Sequence, residues 1–206
     1  MYAPHPFEIQ DDDLLFEFLK QHPFGSLITS VDEAILITSI PFSIQREENH
    51  TWILEGHLAI LNEQSKHLLP YQKAKLLFLQ NGTYVSSQVY GHDNVPTYNY
   101  QSVQLSGHLD PLNEEETLRH LSDLTHQMER KRENPMAWET LNQELIHQYL
   151  KEIKAFRFRV DKKEAAFKLS QNRNASDFES ILQDLTKHNC PTSTLEAMKK
   201  HCPHKG

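Results

Sequence analysis

The sequence predicts an α+β protein built on an antiparallel β-barrel. Between Ser26 and His108, six short runs rich in β-branched and aromatic residues are separated by turn residues. Residues 113–153 then change to a helical period. Strand periodicity returns in Phe156-Arg157-Phe158-Arg159-Val160, whose apolar residues share one face and whose cations share the other.

Each element has its own local reason. Asp11-Asp12-Asp13 opens a first helix with Leu14, Leu15, Phe18 and Leu19 on one face, its acidic start matched to the helix dipole. His22-Pro23-Phe24-Gly25 stops it. Ser26–Val31 and Ala34–Phe42 read as a hairpin across Asp32-Glu33, and Thr51–Ile60 as a third strand. Residues 62–71 break the pattern with a short helix. Ala74–Gln80 and Thr83–Tyr90 flank Asn81-Gly82, a hairpin signal, and after the loop 91–96 comes a strand at Tyr98–His108. Asn113 and Glu116 pair as an N-cap for a helix with Leu118, Leu121, Thr125 and Met128 as its buried stripe. A second helix presents Trp138, Leu141, Leu145, Tyr149 and Ile153. Two strands follow near Phe156–Val160 and Ala165–Leu169. Ser176-Asp177-Phe178-Glu179 reads as a capping box opening another helix, and Ser193 with Glu196 caps a last one from Thr194.

At 206 residues the chain has room for one large domain or two small ones. Its net charge of -7 excludes a broad nucleic-acid footprint. The densest basic block, Arg130-Lys131-Arg132, is flanked by Glu129 and Glu133. Any DNA contact is therefore local or made by a partner. No apolar run reaches membrane-spanning length, and no basic start precedes an apolar core as in a secretory signal. Two cysteines, Cys190 and Cys202, fit a reducing compartment, so the expected location is cytoplasmic.

The stretch richest in chemistry is Lys168-Leu169-Ser170-Gln171-Asn172-Arg173, between a strand and a helix start. Once a turn brings its polar residues together, Lys168 and Arg173 suit a phosphate or carboxylate. A solvated turn is the plainer reading of these residues taken alone. Glu55-Gly56-His57 interrupts a strand with polar residues and a glycine, a mark of close approach by backbone or ligand. Tyr98-Asn99-Tyr100-Gln101 offers stacking surfaces and amide groups. With the cationic turn, these suggest an aromatic-lined cleft for a planar phosphorylated ligand. His57 has the chemistry of a general acid or base, although a hydrogen-bonded structural role is the commoner one. No nucleophile elbow, HExxH or Gly-rich phosphate loop is present, and no catalytic residue is assigned. His188, Cys190, His201, Cys202 and His204 have zinc-compatible side chains but no recognised finger spacing, so no metal site is expected.

An ordered series of pieces resembles the PaiB family of FMN-binding negative transcriptional regulators. It comprises Met1-Tyr2 with Pro4 and Phe7, His22-Pro23-Phe24-Gly25, Pro41-Phe42, Gly56-His57-Leu58-Ala59, Tyr84-Val85-Ser86, Val95-Pro96-Thr97, Asn99-Tyr100, Gly107 and Lys168–Arg173. The resemblance implies the split β-barrel shared with pyridoxamine-phosphate oxidases, with peripheral helices. It covers a domain over residues 1–182, with a helical insertion around 113–153; the helical tail expected over 183–206 lies outside it. It further implies a homodimer holding FMN at the subunit interface, with DNA or a regulatory protein as a further partner and no membrane. Matching positions place Ser39, Ile40 and Pro41 against the flavin from one strand, and Gly56, His57, Leu58 and Asn62 from the next strand and its loop. Asn99 and Tyr100 would line the interface, and Lys168, Ser170, Gln171 and Arg173 would reach the flavin from the C-terminal turn.

The chain departs from the family's pattern. Ile60 stands at a usual arginine, Glu63 at a proline, Ser65 at a tryptophan and Ser39 at a histidine, while Val89 and Tyr98 replace tryptophans. These changes remove a cation and stacking surfaces. A flavin-dependent oxidoreductase and a cofactor-free scaffold therefore stand as alternatives to the regulator.

Overall fold

The computed structural model describes residues 1–48, 50–202 and 204. Its helices are α1 (Asp12–Gln21), α2 (Glu114–Glu129), α3 (Gln143–Leu150), α4 (Ala175–Lys187) and α5 (Thr192–Lys200). Its strands are β1 (Phe24–Val31), β2 (Ala34–Pro41), β3 (Ser43–Arg46), β4 (Trp52–Ala59), β5 (Gln72–Val85), β6 (Thr97–Pro111) and β7 (Ile153–Lys168).

The strands form one sheet in the order β2-β1-β5-β6-β7-β4-β3. Its two outermost strands, β2 and β3, are separated in the chain by Phe42 alone. The sheet must therefore curl until its ends meet, yet no ladder joins them, which leaves a split barrel. Phe42 is fully buried, and its ring packs edge-on against Phe78 and Phe156, with centroids 5.6 and 6.3 Å away. β1 and β2 pair from Phe24↔Pro41 to Val31↔Ala34, around a turn in which Asp32 takes φ 51.

The chain divides into two compact units. The first contains Met1–Phe16, Leu79–Gln104 and Glu164–Gly206, and the second Glu17–Phe78 and Leu105–Lys163. In the first, Val85, Val103, Phe167, Leu169 and Ile181 are fully buried. In the second, Leu27, Phe42, Leu54, Phe78, Phe156 and Phe158 form the core. Gly107 is required by a close approach: a Cβ there would sit 1.9 Å from the Arg159 carbonyl oxygen, a rigid backbone atom.

Several expectations are corrected. Asn81-Gly82 is no hairpin; β5 runs straight through it. A two-residue hairpin turn of that sequence needs positive φ at both positions, and only Asn81 has it, at 57. The two strands expected after α3 are one, β7, because Asp161, Lys162 and Lys163 keep their side chains solvated without leaving the strand. β3 went unread, being a four-residue strand beside a buried phenylalanine.

The helix faces differ too. The Asn113–Glu116 capping box is present, but α2 buries Thr117, His120 and Leu124, while Met128 is exposed. Around α3, Leu145 and Tyr149 are exposed and Leu150 is the buried residue; Trp138 and Leu141 lie before the helix and Ile153 in β7. α4 is capped by Asn174, not by Ser176, because Asn174 Oδ1 accepts from the Asp177 N–H at 2.9 Å. α5 begins at Thr192, directly after Pro191.

Candidate functional site

The expected site residues fall into two groups, one in each unit. In the first unit, β7 ends at Lys168 and the chain turns sharply: Arg173 N–H donates to the Ser170 carbonyl at 3.0 Å. Ser170 takes φ 63, a left-handed conformation that costs a non-glycine residue roughly 1–2 kcal/mol. Buried hydrogen bonds hold it there. Ser170 Oγ donates to Asn99 Oδ1 at 3.1 Å and accepts from Asn99 Nδ2 at 2.9 Å, with both residues almost fully buried. Gln171 accepts from the Leu169 N–H at 2.7 Å and donates to the carbonyls of Phe167 and Pro6. Asn99, Ser170 and Gln171 thus shape the turn, and their polar groups bond to the protein itself.

The two cations are different. Lys168 Nζ donates to Thr97 Oγ1 and lies 5.8 Å over the Phe7 ring. The Arg173 guanidinium sits 5.0 Å over the Tyr90 ring. Both side chains are partly buried, and among the described residues neither is paired with a carboxylate. The neighbouring acid, Asp177, accepts instead from His92 Nε2 at 3.1 Å and from Asn174 Nδ2 at 3.0 Å. The Asp177 bond also raises the His92 pKa. Half-buried cations without acidic partners have the chemistry to meet an anion. Tyr100, half-buried on β6, belongs to the same unit.

In the second unit, Ser39 is exposed and its Oγ lies 2.9 Å from Ser26 Oγ across the β1–β2 pair. Ile40 and Leu58 are buried, and Pro41 ends β2 half-buried. Gly56 faces the core: a Cβ there would meet Ile40 Cδ1 at 2.9 Å and Phe156 Cζ at 3.1 Å. Asn62 donates to Thr38 Oγ1 at 3.1 Å and accepts from the Gln64 N–H at 2.9 Å, pinning the following loop to β2.

His57 belongs to a polar network that the sequence did not disclose. α2 lies on the face of β3, β4 and β7 from which Ser43, Glu55, His57 and Arg157 project. Arg157 donates to Glu55 Oε1 through Nη2 at 2.7 Å and Nε at 2.8 Å, and its Nη1 lies 3.4 Å from Glu116 Oε1. His120, fully buried on α2, places Nδ1 3.2 Å from Ser43 Oγ and Nε2 3.1 Å from His57 Nδ1. Burial first, and then the neighbouring His57, lower the His120 pKa to about 3. Burial lowers that of His57 as well. Both rings are neutral at neutral pH. A single histidine within a helix stripe gave no sequence signal, because only the fold sets it against Glu55.

A groove of about 380 Å³ also opens on the outer face of this unit, lined by Ile28, Ile35, Lys73, Lys75, Gly107 and Asp161 among others. The tail residues lie apart in purpose: the His201 ring meets Phe167 edge-on, His204 Nε2 approaches the Arg173 carbonyl at 2.7 Å, and the Cys190 thiol lies 3.6 Å from Thr83 Oγ1. Among the described residues, no three His, Cys, Asp or Glu side chains are grouped to hold a metal. No helix among them is long and apolar enough to cross a membrane.

Residues 1–162 match the family described as "Putative FMN-binding domain". The chain is 30% identical over 193 residues to the Bacillus subtilis protease synthase and sporulation protein PAI 2, covering 94% of this chain and 93% of that one. Among solved structures it resembles the flavocytochrome Anf3 of Azotobacter vinelandii, with a TM-score of 0.60 and 14% identity over 87% of this chain and 78% of that one. It also resembles a FAD and heme binding protein of Mycobacterium smegmatis, with a TM-score of 0.56 and 14% identity over 78% and 73%. At such identities the structural likeness speaks for the fold alone, an open antiparallel split barrel with five helices. The extended sequence match speaks for more: this chain belongs to the FMN-binding domain family, with the Bacillus PaiB protein as a relative.

Proposed function

We propose that this protein binds FMN as a homodimer and acts as a negative regulator of transcription. The observation that carries the flavin reading is the turn after β7, which presents Lys168 and Arg173 without a carboxylate partner among the described residues. They would hold the phosphate. Of the expected contacts, Ser39, Pro41, His57, Asn62 and Tyr100 keep exposed or half-exposed side chains, whereas Ile40, Gly56 and Leu58 face the core and Asn99, Ser170 and Gln171 are bonded to the protein itself. Bound flavin would supply a visible chromophore and redox chemistry; the chain's own part is to grip and orient it. Titration of the purified protein with FMN should give saturable changes in the flavin spectrum. Lys168→Ala and Arg173→Ala should each weaken binding by about ten- to a hundredfold, the worth of one charge-assisted hydrogen bond. Unchanged affinity in both variants would remove the phosphate role from this turn.

The outer face of the β1–β2 pair supports the dimer. Phe24 of β1 and Ile35 and Ile37 of the outermost strand β2 are 58%, 69% and 61% exposed there, an apolar surface that a second copy would cover. Ile37→Lys is expected to shift sedimentation from dimer to monomer without loss of far-ultraviolet signal. A monomeric parent protein at micromolar concentration would refute the dimer. With a net charge of -7, regulation is read as acting through a protein partner or a short local DNA contact. A mobility shift of promoter DNA by protein alone, weakening steeply with salt, would favour the direct contact.

A further inference from the structure

We propose that Glu55 and His120 fix the tautomer of His57, leaving its Nε2 a bare base for a bound small molecule bearing an acidic N–H or O–H. Glu55 is 3% exposed, and both Arg157 contacts fall on its Oε1. Its Oε2 is buried, has no hydrogen-bond partner among the described residues, and lies 3.9 Å from His120 Nδ1. That negative oxygen favours the proton of the neutral His120 ring on Nδ1, where it is donated to Ser43 Oγ. The opposite tautomer would turn a nitrogen lone pair toward a buried carboxylate.

With Nδ1 protonated, His120 Nε2 is an acceptor, and the group facing it at 3.1 Å is His57 Nδ1. His57 must donate there, so its one proton sits on Nδ1 and its Nε2 is bare. Nε2 has no partner among the described residues, and the ring is partly exposed. The same logic sets the tautomer of a catalytic imidazole held by a carboxylate, with one more ring in the chain. In the transfer itself, the ligand's N–H or O–H bond breaks, a bond to His57 Nε2 forms, and the ligand keeps the electron pair as an anion. The resulting imidazolium donates through Nδ1 to His120 Nε2, and Glu55, whose charge Arg157 balances, lies 3.9 Å beyond His120 Nδ1. His120 does not touch the ligand in this scheme; it is a positioning residue.

The tautomer is a property of the ligand-free chain, so its test does not depend on flavin binding. Nitrogen-15 NMR of the imidazoles near pH 7.5 should show His57 and His120 both protonated at Nδ1 and bare at Nε2, with assignments from His57→Gln and His120→Gln. In Glu55→Gln, the Nδ1 preference of both rings should fall. Diethyl pyrocarbonate, which acylates bare imidazole nitrogens, should modify His57 roughly tenfold more slowly in His120→Gln, the equivalent of about one pKa unit. A wild-type His57 carrying its proton on Nε2 overturns the proposal, and that spectrum decides the matter even where a variant fails to fold. A tautomer indifferent to Glu55→Gln overturns it equally.

Discussion

Acidification from pH 7 to pH 4 is expected to remove on the order of 3 kcal/mol of folding stability through His120 alone. The ring is fully buried, and burial lowers its pKa from 6.5 to about 3. Below pH 6.5 the unfolded chain takes up a proton that the folded chain refuses until about pH 3. The contribution is therefore whole above pH 6.5 and is lost progressively as pH falls toward 3. His57 and His22 act in the same direction, His57 through burial and His22 through burial and then Lys131. His92 acts in the opposite direction: its bond to Asp177 raises its pKa, so its contribution is present below 6.5 and fades as pH rises through the raised value. That ring is at the surface, where solvent screens the effect. Urea denaturation at half-unit pH intervals measures the slope, and His120→Gln should flatten it between pH 6 and 4. An unchanged slope in that variant would mean that His120 is protonated within the fold or is reached by water.

Arg157→Leu should destabilise the protein by about 3–5 kcal/mol, the range for removing one partner of a buried ion pair. The guanidinium makes two contacts with Glu55, whose side chain is only 4% exposed, and a longer one with Glu116. Without it, Glu55 would keep a charge away from water, with the neutral His120 imidazole 3.9 Å away. The double variant Glu55→Leu/Arg157→Leu should recover most of the loss, because two apolar side chains need no compensation there. Equilibrium unfolding of both singles and the double gives the coupling directly. A single-variant cost below about 1 kcal/mol would class the pair with solvated surface bridges.

The strands with clear alternation were legible in the sequence, as were the first helix, the Asn113–Glu116 cap and the family. Side-chain period and cap chemistry are local properties, written within a few residues of where they act. Asn81-Gly82 misled because a turn dipeptide states only what a backbone is able to do. β5 stays extended through it beside β6, where Asn81 Nδ2 donates to Gln101 and Gly82 lies against Tyr98. The stripe read on α2 missed His120 for a related reason. Helical period shows which residues share a face, whereas the buried face is chosen by what the helix meets.

The amino-acid order alone determined the class of fold, the family and the cationic turn at Lys168–Arg173, since each rests on neighbours in the chain. Tertiary structure alone decided that Asn99 and Ser170 are spent on each other, and that Ser43, Glu55, Arg157, His57 and His120 form one network. Those five come from four separate elements. Only curling the sheet and laying α2 across it excludes enough water for their charges and protons to govern one another.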